Sequence, residues 1–199
     1  MKEFSIDINN QTRIHILCSP EKGVTNFGDQ VFDRPEELEK FLTFQSFEHR
    51  IQYLLKLHLL KKTGLKNDLY YDSAGKPHLH SNGSISISHS GKCVAVVISN
   101  KATGIDIQRI DERVKTLKTK YLNEKDKLPF RDEKDFYHYA WTAKEAVYKA
   151  CGQKGLSLKN DIFIYERNGQ TYAWCDPEGI FRLFFKQFDN YYMAVAYKE

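Results

Sequence analysis

The sequence predicts an α+β fold made of two similar lobes related by pseudo-twofold symmetry, and three observations carry that reading. Short alternating strands occur in both halves, each half holds one long helical stripe, and short matches recur at a fixed offset. Ile6-Asp7-Ile8 returns as Ile105-Asp106-Ile107, and Val94-Ala95-Val96 returns as Met193-Ala194-Val195, both 99 residues further on. Gly64-Leu65 after one long helix matches Gly155-Leu156 after the other, 91 residues on. An internal duplication follows, with an N-terminal lobe at 1–102 and a C-terminal lobe at 103–199.

Two such lobes fit a chain of 199 residues, and 41% hydrophobic with 14% aromatic residues is enough for a core. Phe4, Ile6, Ile8, Ile14 and Ile16 alternate on one face about an Asn-Asn-Gln turn, which predicts a hairpin over residues 4–17. Residues 20–34 are rich in Gly, Pro, Asp and Asn and read as loop, after which Pro35, Glu36 and Glu37 open a helix. Ile51, Leu54, Leu55, His58 and Leu59 form the stripe of a longer helix that Gly64 stops, with His58 read as a core histidine.

Ala74-Gly75-Lys76-Pro77 reads as a turn, and residues 84–98 as two strands about Ser88-His89-Ser90-Gly91-Lys92. A strand at Gly104-Ile105-Asp106-Ile107, a basic helix, a loop at Pro129, a helix over 141–150 and at least three strands complete the chain. In that last helix Asp132 or Asp135 can cap the start, Gly152 the end, and Ala140, Ala143, Val147 and Ala150 form a core-facing stripe of small residues. Phe163, Tyr165, Tyr172, Trp174 and Phe181 read as strand-pair and core residues rather than a stacking platform for bases.

Composition narrows the function. A net charge of +4 and a pI near 8.7 are too weak to argue for nucleic acid but suit an anionic cofactor or an acidic partner. The N-terminus alternates instead of forming an apolar run, so neither a signal nor a membrane span is expected. Cys18, Cys93, Cys151 and Cys175 are scattered without a C-x-x-C pair, which predicts reduced thiols and a cytoplasmic protein, read as a monomer. His78, His80, His89 and Cys93 match no tetrahedral zinc spacing.

Trp141, Glu145 and Lys149 share a second stripe of the 141–150 helix. Such a Glu-Lys pair at i, i+4 is commonly only solvated, worth about 0.3–0.5 kcal/mol. The indole on the same stripe points instead to a covered surface. Asp106 stands in an apolar strand, where a lone carboxylate is costly unless compensated by Arg109, a turn or a metal. If that strand adjoins the helix, Asp106 and Glu145 supply the two carboxylates that suit Mg²⁺ bound with phosphates and water.

Gly104-Ile105-Asp106-Ile107 followed by Trp141-x-x-Lys144-Glu145-Ala146-x-x-Lys149 resembles the 4'-phosphopantetheinyl transferase superfamily, in its two-lobed surfactin-synthetase-activating type. Gly75-Lys76-Pro77 and Ser88-His89-Ser90-Gly91 agree with it in order and rough spacing, so the similarity spans residues 75–152. The resemblance implies transfer of phosphopantetheine from coenzyme A to a serine of an acyl or peptidyl carrier protein, releasing adenosine 3',5'-bisphosphate, with coenzyme A between the lobes. It implies Mg²⁺ on Asp106 and Glu145, Lys149 near the transferring phosphate and His89 on the pyrophosphate, with Glu145, Lys149 and His89 as the catalytic set. It also implies Lys76, Pro77 and Ser88 at the nucleotide end, while Lys144 either assists the phosphates or packs along its stem.

Many relatives carry Glu two residues after the Asp, where this chain has Gln108, a neutral third position for the metal. The alternative reading is a catalytically degenerate module that binds coenzyme A or a carrier protein. The run Arg109, Arg113, Lys115, Lys118 and Lys120 is the candidate docking surface for an acidic carrier helix, set against a merely solvated face.

Overall fold

The computed structural model describes residues 1–20, 31–176 and 178–199. The first hairpin forms as its alternation predicts, with β1 (Lys2–Asn9) antiparallel to β2 (Thr12–Cys18) and the turn held by Gln11 N donating to Asn9 Oδ1. Of the segment expected to be loop, residues 21–30 lie outside the described residues. Helix α1 (Pro35–Thr43) starts at the proline, and α2 (Phe47–Lys62) is capped by Ser46, its hydroxyl accepting from His49 N. Leu55 and Leu59 of α2 are buried against Leu17, Val94 and Val96 of the sheet beneath.

Next come β3 (Leu69–Tyr71), β4 (Pro77–Leu79), β5 (Ser84–Ser90), β6 (Cys93–Ser99) and β7 (Thr103–Arg109). The basic stretch folds as two short turns of helix, α3 (Arg113–Thr116) and α4 (Lys118–Tyr121). The long helix α5 (Glu133–Cys151) follows, with Asp132 accepting from Asp135 N at its start and Gly152 left-handed at φ 67° at its end. Four strands close the chain: β8 (Ile162–Arg167), β9 (Gln170–Cys175), β10 (Gly179–Phe188) and β11 (Tyr191–Tyr197).

Two larger sheets result, ordered β1-β2-β6-β5 and β7-β11-β10-β9-β8, beside the small β3-β4 ribbon. Helix α5 covers one face of the five-stranded sheet, burying Ala140, Ala143, Val147 and Ala150 against Ile164, Ala173 and Phe181. The other face of that sheet packs on the first, where Ile14, Ile16 and Val97 meet Ile105, Ile107 and Val195. The halves therefore share a core.

The short repeat in the sequence does not pair equivalent strands. β7 lies directly against β11, whereas β1 is separated from β6 by β2. The strand with β7's connectivity is β2, so β2-β6-β5 under α2 parallels β7-β11-β10 under α5. Ile14 and Ile16 precede Ile105 and Ile107 by 91 residues, the offset that the two post-helix Gly-Leu pairs already show. An extra edge strand at the N-terminus carries the look-alike sequence.

The expectation of reduced thiols fails for one pair. Cys18 and Cys93 are register partners on β2 and β6, with Cα atoms 4.1 Å apart, and are joined by a disulfide. Their separation of 75 residues gave no sign of this, because strand pairing is not written in linear spacing. Cys151 and Cys175 are free.

The seam between the sheets is built from side chains. Ser84, Ser86, Ser88 and Ser90 alternate along β5, and their hydroxyls accept from the backbone N–H of Thr103, Ile105, Ile107 and Arg109 at 3.0–3.2 Å. The constant spacing of 19 residues makes β5 and β7 run parallel. An open strand edge presents every second N–H, and leaving one buried without a partner costs about 1–3 kcal/mol. The serine ladder satisfies that edge without a backbone ladder.

Candidate active site

Three elements converge on the site, and each is placed by a local feature of the sequence. β7 is clamped between β11 and the serine ladder, which fixes where Asp106 emerges. Helix α5 crosses β7 at Gly104, where an added Cβ would lie 2.0 Å from Ala146 O and 2.6 Å from Ala150 N. Only glycine admits the helix backbone this close, and the small Ala146 and Ala150 complete the fit. That contact brings Glu145 and Lys149 over the carboxylate of Asp106.

Asp106 is 7% exposed. Its Oδ1 accepts from Lys149 Nζ at 2.6 Å and from Ser88 Oγ at 2.8 Å. Arg109, the alternative partner read from the sequence, donates no bond to it. Among the described residues, Asp106 Oδ2 is the buried side-chain oxygen or nitrogen left with no hydrogen-bond partner. A buried, half-satisfied carboxylate is costly unless something positive or a donor completes it.

Glu145 faces the same point from α5. Its carboxyl is pushed above its usual range by burial first and by the charge of Asp106 second, with Lys149 pulling it back. Two carboxylates that repel each other across an unfilled acceptor fit a cation between them. Among the described residues no cluster of three or more His, Cys, Asp or Glu converges. Gln108 lies two residues along the strand from Asp106, and its Nε2 donates to Arg109 O at 3.0 Å.

Beside this centre opens a cleft of about 320 Å³ between the two halves. Lys76 and Pro77 line it from the first half, and Tyr148, Lys149 and Gly152 from the second. Lys76 lays its ammonium against Gly152, where an added Cβ would meet Nζ at 2.0 Å, at the negative end of α5. Pro77, Lys76 and Lys149 thus line one cleft.

His89 is exposed on the opposite side of β5 from the serines, and its pKa is lowered by the surrounding protein, then by Lys149, Lys56 and His49. Lys56 is itself depressed to about 8 by burial and by Lys40, its ammonium lying 4.8 Å from the Tyr53 ring centre. Four cationic or protonatable groups thus share one neighbourhood. His49, with Arg50, is the basic nucleotide contact that the resemblance offers in the first half of the sequence, whereas Lys56 was not singled out, although the α2 spacing 49, 52, 56 on one face would have grouped it with His49.

Two expected ligands sit elsewhere. Lys144 is fully buried, paired at 2.7 Å with Asp126, which is equally buried, and donating to Ile162 O. The rotation along α5 that sends Glu145 toward Asp106 and Lys149 sends its neighbour into the C-terminal core, so the Lys144 ammonium is not exposed to the cleft. Ser88 is 4% exposed and spends its hydroxyl on Asp106, Lys149 and Ile107, so its side chain holds no nucleotide. The histidines weighed for zinc are also engaged: His78 pairs with Asp72 and both His78 and His80 stack on Tyr70, while Cys93 is in the disulfide.

Residues 102–196, which carry Asp106, Glu145 and Lys149, match the family model for the 4'-phosphopantetheinyl transferase superfamily. The C-terminal half of the chain is therefore similar to that superfamily. The chain is 28% identical over 130 residues to a 4'-phosphopantetheinyl transferase of Bacillus subtilis, covering 60% of this chain and 55% of that relative. It is 26% identical over 125 residues to 4'-phosphopantetheinyl transferase gsp of Aneurinibacillus migulanus, covering 59% and 52%. The chain spans about half the length of the curated relatives it matches. Among the described residues no helix is long and apolar enough to cross a membrane.

Proposed function

We propose that this chain is a Mg²⁺-dependent 4'-phosphopantetheinyl transferase that moves the phosphopantetheine arm of coenzyme A onto a serine hydroxyl of an acyl or peptidyl carrier protein. The observation that carries the reading is the buried, unpartnered Oδ2 of Asp106, a carboxylate held by Lys149 of the cleft wall and close enough to Glu145 for the two charges to interact. Asp106 and Glu145 would hold the cation, which when bound neutralises the pyrophosphate. The remaining work belongs to the chain's own side chains.

Phosphoryl transfer needs positioning and charge neutralisation more than covalent help from the protein. Lys149 lies where an ammonium can share the transferring phosphate, and His89 with Lys56 supplies cationic character toward the nucleotide end. The serine oxygen attacks the phosphorus nearer pantetheine, the pyrophosphate bond breaks, and adenosine 3',5'-bisphosphate leaves. Glu145 takes the serine proton directly or through a water. The matching strand orders under α2 and α5 support two duplicated lobes, divided near residue 102, with coenzyme A between them.

An acidic carrier helix would dock on α3 and α4. There Arg113 pairs with Asp111 and Lys115 with Glu133, so steering there falls chiefly to Arg109, Lys118 and Lys120. The deciding experiment incubates the protein with Mg²⁺, coenzyme A and a panel of apo carrier proteins and reads intact masses. A carrier heavier by one phosphopantetheine, dependent on Mg²⁺, is the expected result. Binding of coenzyme A with no mass gain on any carrier would favour the degenerate binding module instead.

A further inference from the structure

We infer that Ser88 is a positioning residue: its hydroxyl locks the Asp106 carboxylate and the Lys149 ammonium into one arrangement that leaves Asp106 Oδ2 open. The inference rests on the proposed reading of Asp106 as a cation-holding carboxylate. A hydroxyl offers one donor and two acceptor positions, and here all three are used. Ser88 Oγ accepts from Ile107 N at 3.2 Å and from Lys149 Nζ at 3.1 Å, and donates to Asp106 Oδ1 at 2.8 Å.

The consequence is geometric. Oδ1 receives two donors, Ser88 and Lys149, while Oδ2 receives none. The carboxylate is therefore fixed in rotation, with its second oxygen left unshared. Lys149 is fixed as well, because its Nζ also donates to Ile105 O at 3.1 Å. Without the Ser88 hydroxyl, Asp106 could turn and share both oxygens with Lys149, which would close the open position.

The other serines of the ladder separate this role from simple stitching. Ser84 binds Thr103 N just as Ser88 binds Ile107 N, yet no charged group stands at its hydroxyl. Loss of Ser84 therefore removes a seam hydrogen bond alone. Loss of Ser88 removes the same kind of bond together with the hold on the carboxylate.

The test titrates Mn²⁺ into metal-free protein and reads free and bound Mn²⁺ by electron paramagnetic resonance. Ser88→Ala should weaken Mn²⁺ binding by about 10- to 100-fold, the range for removing a partner of a metal-holding group. Ser84→Ala should leave it unchanged, and Ser88→Thr, which keeps the hydroxyl, should restore it. If Ser88→Ala does not fold, Ser88→Cys takes its place, keeping the shape with a much weaker donor. Equal losses in the Ser84 and Ser88 variants, failure of Ser88→Thr to restore binding, or a wild-type protein that takes up no Mn²⁺ would each overturn the inference. A wild-type protein that shows the expected Mn²⁺ pattern but modifies no carrier would support Ser88's role while overturning the transferase reading.

Discussion

Lys149 holds its ammonium 2.6 Å from Oδ1 of Asp106, across the contact between α5 and β7, and leaves the second oxygen of that carboxylate buried without a partner. The ion pair neutralises only part of what the strand buries. The remainder is the chemical opening of the site.

Asp106→Asn and Glu145→Gln should each cut transfer on the order of 100-fold or more, because each removes a charge that no neighbour replaces. The folded state should survive both. Asp106→Asn keeps the shape at the seam, and Glu145 is half-buried beside a like charge whose repulsion the change relieves. Circular dichroism melts alongside single-turnover transfer check this, and full activity of both variants at limiting Mg²⁺ would sink the pair as the metal site.

The close crossing at Gly104 gives a second expectation. An alanine there would drive its Cβ into Ala146 O at 2.0 Å, a backbone clash that no rotamer can relieve. Overpacking of this kind costs about 3 kcal/mol, at the upper end of its usual range. Gly104→Ala should lower the denaturant midpoint accordingly and, by shifting α5, reduce kcat more than the KM for coenzyme A. A variant as stable as the parent would mean that the helix can move aside freely.

Lys144 and Asp126 form a pair in the C-terminal core, so removing either one strands the other. Lys144→Met alone should cost about 3–5 kcal/mol, and adding Asp126→Leu should recover only part of that loss, because Asp126 also accepts from Asn123 N and Ile164 N. A double-mutant cycle by urea denaturation measures the coupling. The KM for coenzyme A should not follow these changes, which is the opposite of what a phosphate-binding Lys144 would produce.

These contrasts mark what could be read in the sequence. The hairpin, the two long helices, the cap at Asp132 and the stop at Gly152 all rest on local rules, and they stand in the structure. Asp106 and Glu145 were legible as candidates because a charge in an apolar strand and a carboxylate beside an indole both break a local pattern. What was not legible depends on pairing between distant segments. The Cys18–Cys93 bond, the burial of Lys144 with Asp126 and the like positions of β2 and β7 in their strand orders each require knowing which strand lies beside which. The alternating serines of Ser84 to Ser90 were visible as a pattern, but their role appears only once β7 lies along them.

The group around His89 yields the last expectation, with a sign that can be worked out. His89 has its pKa lowered by burial and by Lys149, Lys56 and His49, so the folded protein holds fewer protons there than the unfolded chain below about pH 6.5. Stability without ligand should therefore fall as pH drops through that region. A phosphate-bearing ligand reverses the effect, since its charge favours the protonated ring, and adenosine 3',5'-bisphosphate should stabilise the protein more at pH 6 than at pH 8. Lys56, depressed to about 8, is still charged at neutral pH and strains the protein without ligand for the same reason. Lys56→Met should raise the melting temperature without ligand at pH 7 and shrink the shift produced by the nucleotide, while His89→Ala should remove most of its pH dependence. Differential scanning fluorimetry across pH reads all three. A nucleotide shift that stays constant with pH and survives Lys56→Met would place the anion away from this cluster.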